Sequence, residues 1–126
     1  MIFDTDVIIW AIRGNVDAAK AIDSADAVYI STATYIELLQ GAKSKEDLNR
    51  IKLYLNRLKT EVIPLSEKIG HRAGIYIEEY ALKTGMKLPD SIIAATAAES
   101  KMELCTGNVK DFREIKDLKI RQFKVS

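Results

Sequence analysis

The chain opens on Met1-Ile2-Phe3-Asp4, three apolar residues without polar alternation followed at once by an acid. A strand with one face in water alternates apolar and polar side chains, whereas a strand covered on both faces does not. Met1 to Phe3 therefore reads as a buried central strand of a parallel sheet, with Asp4 at its carboxyl end. Asp6 to Arg13 follows as a short helix ending near Gly14, a C-cap candidate.

Outward from that start, helices and strands alternate. A small-residue helix spans Val16 to Ser24, and Ala27-Val28-Tyr29-Ile30 is the second strand. Ser31, Thr32 and Thr34 are N-cap candidates for a helix carrying Tyr35, Ile36, Leu38 and Leu39, closed by Gly41. Ser44 and Asp47 have capping-signal spacing, ahead of a helix with an apolar stripe at Leu48, Ile51, Leu55 and Leu58. Glu61-Val62-Ile63 is the third strand, stopped by Pro64. Ser66 caps a long helix with Ile69, Ala73, Tyr76 and Tyr80 on one face, ended by Gly85. Pro89 suits the first turn of a helix that contains the small-residue run Ile92 to Ala98. Glu103 to Thr106 is the fourth strand, and Ile120 to Phe123 carries a fainter fifth. The alternation predicts right-handed βαβ crossovers: an α/β protein, one three-layer α/β/α domain over residues 1–126 with a central parallel sheet of four to five strands.

With 126 residues the chain can bury a core without disulfides or structural metal. A net charge of +1 neither demands nor forbids nucleic acid, because only a local basic patch decides that. Cys105 is the single cysteine and His71 the single histidine, which excludes an internal disulfide and a Cys/His zinc pattern. No run approaches the ~18 apolar residues of a membrane span, and the amino terminus lacks a signal-peptide pattern. A cytoplasmic protein without a membrane partner is expected.

In an open parallel sheet, residues just past the strand ends gather on one side, outside the carboxyl edge. Asp4, Glu37, Asp90 and Asp111 all fall at strand ends or in the first turns of predicted helices. Four acids meeting there repel one another unless a cation holds them, so the pattern predicts a divalent-metal site and metal-assisted hydrolysis. Each acid also has a plain structural reading. Asp4 or Asp6 caps the first helix, Asp6 being the expected cap of the two and a candidate support for the site. Glu37 stands three residues after Thr34, the spacing of a capping box. Asp90 suits the positive end of its helix dipole, and Asp111 is a loop acid beside the turn residues Gly107 and Asn108. Lys110 and Arg113 bracket Asp111, a combination suited to phosphate beside a metal. Thr106 and Asn108 are candidates to hydrogen-bond the ligands. Ser66, Ser91 and Cys105 show no nucleophile elbow, and neither a dinucleotide fingerprint nor a P-loop occurs.

The stretches IFDTDVII (residues 2–9), STATYIELLQGA (31–42), PDSIIAATA (89–97) and LCTGNVKDF (104–112) resemble, in order and spacing, the PIN-domain family. Within it they are similar to the VapC-type toxins of prokaryotic toxin–antitoxin modules. The resemblance covers essentially the whole chain. It implies that the family's acids correspond to Asp4, Glu37, Asp90 and Asp111, supported by Thr106 and Asn108. Two positions depart from the pattern: Asp6 stands where Asn is commoner, and Gly107 replaces a frequently larger, often basic residue. The resemblance further implies Mg²⁺- or Mn²⁺-dependent cleavage of single-stranded RNA, a homodimer, and a small antitoxin inserted into the active-site groove.

The expected activity is accordingly an endoribonuclease acting on single-stranded or loop RNA, with tRNA or another structured RNA among the candidate substrates. Asp4 and Asp90 hold the ion, with Asp111 and Glu37 completing or hydrating the site, and water attacks the phosphate in line. Lys43, Lys45, Lys110 and Arg113 are the candidate RNA contacts, predicting affinity that falls with salt. Two other classes compete. A receiver domain also collects acids and Mg²⁺ at such an edge, but needs an Asp just after the third strand, where Ile63-Pro64-Leu65-Ser66 offers none. A non-catalytic binding module would use its acids only as caps. Trp10, Ile12, Tyr76 and Tyr80 are candidates for a partner surface, with core packing the expected fate of most.

Overall fold

The computed structural model describes residues 1–125; Ser126, the last residue of the expected domain, lies outside them. Among the described residues twelve elements follow one another: β1 (Ile2–Phe3), α1 (Thr5–Ile12), α2 (Val16–Asp23), β2 (Tyr29–Ser31), α3 (Thr32–Gln40), α4 (Lys45–Arg57), β3 (Glu61–Ile63), α5 (Glu67–Thr84), α6 (Leu88–Ser100), β4 (Leu104–Thr106), α7 (Val109–Phe112) and β5 (Ile120–Gln122). The strands form one parallel sheet in the order β3-β2-β1-β4-β5. The expected α/β architecture is the observed one, with helices packed on the two sheet faces.

Successive side chains of a strand point to opposite faces, and the two halves of the core follow that alternation. Ile2 and Leu104 join the cluster that includes Ile69, Ala73 and Tyr76 of α5 and Ile93, Ala94, Ala95 and Ala97 of α6. Their neighbours Phe3 and Cys105 join the opposite cluster, with Val7, Ile8, Ile22, Leu38, Ile51 and Leu55 from α1 to α4. Both faces of β1 and β4 are thus dry, which is why Met1 to Phe3 reads as an unbroken apolar run. Ala94, Ala95 and Ala97 are fully buried, and their small side chains let α6 lie against β2 and α3.

Local signals set most element ends. Ser31, Ser44 and Ser66 each accept a hydrogen bond from the backbone N–H three residues on, capping α3, α4 and α5. Gly85 ends α5 in the left-handed conformation, at φ 76°. The second strand runs two residues later than expected at its start and one later at its end, because Ser31 is both its last residue and the cap of α3. The predicted loop at Asp111 is instead the one-turn helix α7, too short for apolar periodicity to reveal. On α5, Arg72 bonds both Glu99 of α6 and Asp117 before β5, and the Tyr76 hydroxyl donates to Asp117 at 2.9 Å. Of the surface candidates, Tyr76 is buried, Tyr80 and Ile12 are half-buried, and only Trp10 is exposed, at 39%. No helix among the described residues is long and apolar enough to cross a membrane.

Candidate active site

The strand order puts β1 beside β4, where the sequence order of neighbouring strands breaks. In open α/β sheets the crevice outside the carboxyl ends at such a switch point is the usual ligand position. Asp4 leaves β1 there and Thr106 leaves β4. Asp4 donates its N–H to the Cys105 carbonyl at 2.9 Å, so its backbone is set by the ladder. Its side chain is only 6% exposed. Oδ1 accepts from the Thr5 N–H and Oδ2 from the Thr106 hydroxyl, each at 2.7 Å.

The expected cap assignment is corrected here: Asp4, not Asp6, caps α1. Its extended backbone leaves it half out of the helix, while Asp6 is already in the first turn. Asp6 instead accepts from the Gly107 N–H at 2.9 Å through Oδ2. Its Oδ1 is buried and makes no hydrogen bond of ordinary geometry.

Glu37 is also corrected. Ser31 caps α3, so Glu37 lies in the second turn, out of reach of the capping box that its spacing suggests. Its Oε1 accepts from the Thr5 hydroxyl at 2.7 Å, a tie between α3 and α1 across 32 positions. Asp90 lies in the first turn of α6 and accepts from the Lys87 N–H at a long 3.4 Å. Asp111, on α7, is bonded by the Asn108 side-chain amide. The Asn108 N–H in turn donates to Thr106 Oγ1 at 2.9 Å. Thr106 therefore links Asp4 to the segment carrying Asp111.

The acids at this edge act on one another through their charge. Burial pushes the Asp4 carboxyl up to about 7, the charge of Asp6 adds to it, and that of Asp90 contributes less. Burial likewise raises Asp6. Asp90 is raised first by burial, then by the charges of Asp111 and Glu37. Carboxylates held above their ordinary range by burial and one another are in the condition a bound cation relieves. The donors are all hard carboxylate oxygens, which favour Mg²⁺ or Mn²⁺ over softer metals. Among the described residues no group of three or more histidine, cysteine, aspartate or glutamate side chains is placed to hold a metal ion by itself. Mg²⁺ ordinarily takes one or two carboxylates and keeps its waters, so an open acidic crevice fits it.

A groove of about 570 Å³ runs from Glu37 between α1, α3 and α4, lined among others by Ile9, Ile12, Arg13, Lys43 and Arg50. Of the expected RNA contacts, Lys43 lines it and Lys45 opens α4 one residue beyond its Ser44. Lys110 and Arg113 are exposed on and just after α7, flanking Asp111. Sequence reasoning missed Thr5, Arg13 and Arg50. Thr5 lies in plain sight between two acids, but its partner Glu37 is remote in sequence. The groups set aside as nucleophiles stay so: Ser66 is a helix cap, Ser91 Oγ donates to the Leu88 carbonyl at 2.6 Å, and burial pushes the Cys105 thiol up to about 11.

A family model described as PIN domain matches residues 1–118. The chain belongs to the PIN-domain family. This PIN domain is 34% identical to Ribonuclease VapC1 of Rickettsia felis over 127 residues, 95% of this chain and 93% of that protein. A chain of a toxin-antitoxin complex from Klebsiella pneumoniae superposes with a TM-score of 0.79 at 33% identity, covering 93% of each. A chain of VapBC2 from Rickettsia felis, bound to a DNA fragment from their promoter, superposes with a TM-score of 0.82 at 25% identity, over 98% of this PIN domain and all of that chain.

Proposed function

We propose that this PIN domain is a VapC-type, Mg²⁺- or Mn²⁺-dependent endoribonuclease, the toxin of a toxin–antitoxin pair. The observation that carries the reading is that Thr106 ties Asp4 to the segment carrying Asp111 at the switch point of the sheet, with the charges of Asp111 and Glu37 acting on Asp90. The likeness to a ribonuclease, over 93% of that protein's length, supplies the reaction class.

In this mechanism Asp4, Asp90 and Asp111 would supply the oxygens that hold the cation, and Glu37 would hydrogen-bond water beside them. When bound, the cation supplies Lewis acidity and neutralises charge at the scissile phosphate. Thr106 holds Asp4 to one rotamer, Thr5 does so for Glu37, and Asn108 for Asp111. Preset ligands lose little freedom when substrate arrives. Water attacks phosphorus in line and the P–O3′ bond breaks. The attacking water's oxygen stays on the 5′-phosphate and a proton ends on the 3′-hydroxyl.

RNA is held by basic side chains around the crevice. Arg13, Lys43 and Arg50 lie along the groove that ends at Glu37, and Lys45, Lys110 and Arg113 extend the basic surface. The reading further implies a small antitoxin that covers the groove, a homodimer, and a cytoplasmic location. The test is cleavage of total RNA by the purified chain with Mg²⁺ or Mn²⁺ and an EDTA control. Cleavage that persists in EDTA, or in Asp90→Asn, ends the proposal.

A further inference from the structure

We infer that Asp6 and Gly107 form a latch that positions Thr106, Asn108 and Asp111, and that the carboxylate at 6 is what demands glycine at 107. The inference deepens the nuclease reading and rests on it for the use made of Asp111. Gly107 donates its N–H to Asp6 Oδ2 at 2.9 Å, bridging the first turn of α1 and the β4–α7 connection over 101 positions. A carbon added at Gly107 would lie 2.7 Å from that same oxygen and 3.4 Å from the Phe123 carbonyl. A side chain at 107 therefore has to push the Asp6 carboxylate out of its present position. Backbone conformation is not the reason for this glycine, since its φ lies outside the left-handed region, unlike Gly14 and Gly85.

The consequences run along the chain on either side. Thr106, just before the latch, holds Asp4 Oδ2. Asn108, just after it, bonds Thr106 Oγ1 through its N–H and Asp111 through its side-chain amide. Fixing the Gly107 amide thus fixes both neighbours, and an ionised acceptor makes that bond stronger than a neutral one would. Asp6 and Gly107 touch each other and act as one device. Asp6 acts through Gly107, as a positioning residue and not as a ligand.

The test compares the full chain with Asp6→Ala, Asp6→Asn, Gly107→Ala and the Asp6→Ala/Gly107→Ala double variant. Hydrogen exchange of the Gly107 amide and the side-chain amide resonance of Asn108 are read by NMR without metal; Mn²⁺ affinity and RNA cleavage are read separately. Asp6→Ala speeds Gly107 exchange by about ten-fold or more, the scale of losing one charge-assisted hydrogen bond. It also shifts the Asn108 signal and slows cleavage. Gly107→Ala, whose methyl displaces only the end of a side chain, does the same in a folded protein. Asp6→Asn keeps an oxygen acceptor and recovers most of the loss. The double variant is no worse than the poorer single, as for two groups acting through one contact. Unchanged Gly107 exchange in Asp6→Ala, or additive losses in the double variant, overturns the latch. If the unaltered chain fails to cleave RNA, the exchange and Asn108 readouts still decide the latch, while the nuclease reading falls by itself.

Discussion

Thr106 Oγ1 donates to Asp4 Oδ2 at 2.7 Å, tying together the ends of the two central strands from positions 102 residues apart. The same hydroxyl accepts from the Asn108 N–H, so one small side chain serves an acid on each side of the crevice. Valine at 106 keeps the shape and removes both bonds. Thr106→Val is expected to cost about 1–3 kcal/mol of stability, the range for stranding buried polar partners, whereas Thr106→Ser stays close to the parent. Denaturant titration of the two variants checks this; equal stability would mean that Asp4 is held by other contacts.

Acid titration gives a second expectation, with its sign set by Asp4. Its folded carboxyl is raised from 3.8 to about 7. Between those values the folded state binds the proton that the unfolded state has lost. Asp4 therefore favours the fold at low pH, and that advantage disappears as pH rises from about 4 through about 7. The whole difference is a few kcal/mol, at about 1.4 kcal/mol per pH unit. Melting of the chain in EDTA should show this loss relative to Asp4→Asn, and Mg²⁺ should restore more stability at pH 8 than at pH 5. Equal Mg²⁺ stabilisation at both pH values would contradict a cation held by these carboxylates.

Replacing Asp4 by alanine does not separate catalysis from structure, because Asp4 both caps α1 and meets Thr106. Asparagine does separate them. It remains a good N-cap and removes the buried charge, so Asp4→Asn is expected to melt at or above the parent's temperature in EDTA at pH 8. RNA cleavage should fall to background. A fully active Asp4→Asn would show that this carboxylate is a helix cap and no more.

The groove makes a quantitative statement about salt. Arg13→Ala and Lys43→Ala should each weaken RNA binding, with the slope of log affinity against log salt flattening by about 0.7 per lost phosphate contact. Fluorescence anisotropy with a labelled single-stranded RNA on an Asp90→Asn background reads this without cleavage. Slopes identical to the parent's would remove both residues from the RNA path.

Arg72 offers a control far from the chemistry. It bridges Glu99 and Asp117, and burial with its bonds to Asp117 pushes the Tyr76 hydroxyl up to about 12. Because Arg72 and Asp117 are partly solvated, Arg72→Ala should cost only about 1 kcal/mol. Cleavage at 25 °C should be unaltered. A large loss of activity without loss of stability would reveal a coupling between α5 and the crevice.

Much of the fold was legible because its signals are local. Ser44 and Ser66 announce helix starts, Gly85 announces a stop, and unbroken apolar triplets announce strands covered on both faces. The four acids could be picked out for the same reason: each stands at a strand end or near a helix start. Their partners could not. Glu37 has capping-box spacing, yet it meets Thr5; Asp6 has a capping position, yet it meets Gly107. Those pairings depend on which strands become neighbours, and short-range spacing carries no such information.

The amino-acid order alone thus determined the alternation of strands and helices and the edge to which the acids belong, since period and capping are read within a few residues. Only the tertiary structure decided that β1 lies against β4, that Thr106 meets Asp4, and that the carboxylate at 6 meets the Gly107 amide. These are contacts between segments about a hundred residues apart, created when burial of both sheet faces selects one strand order, and no local pattern encodes them.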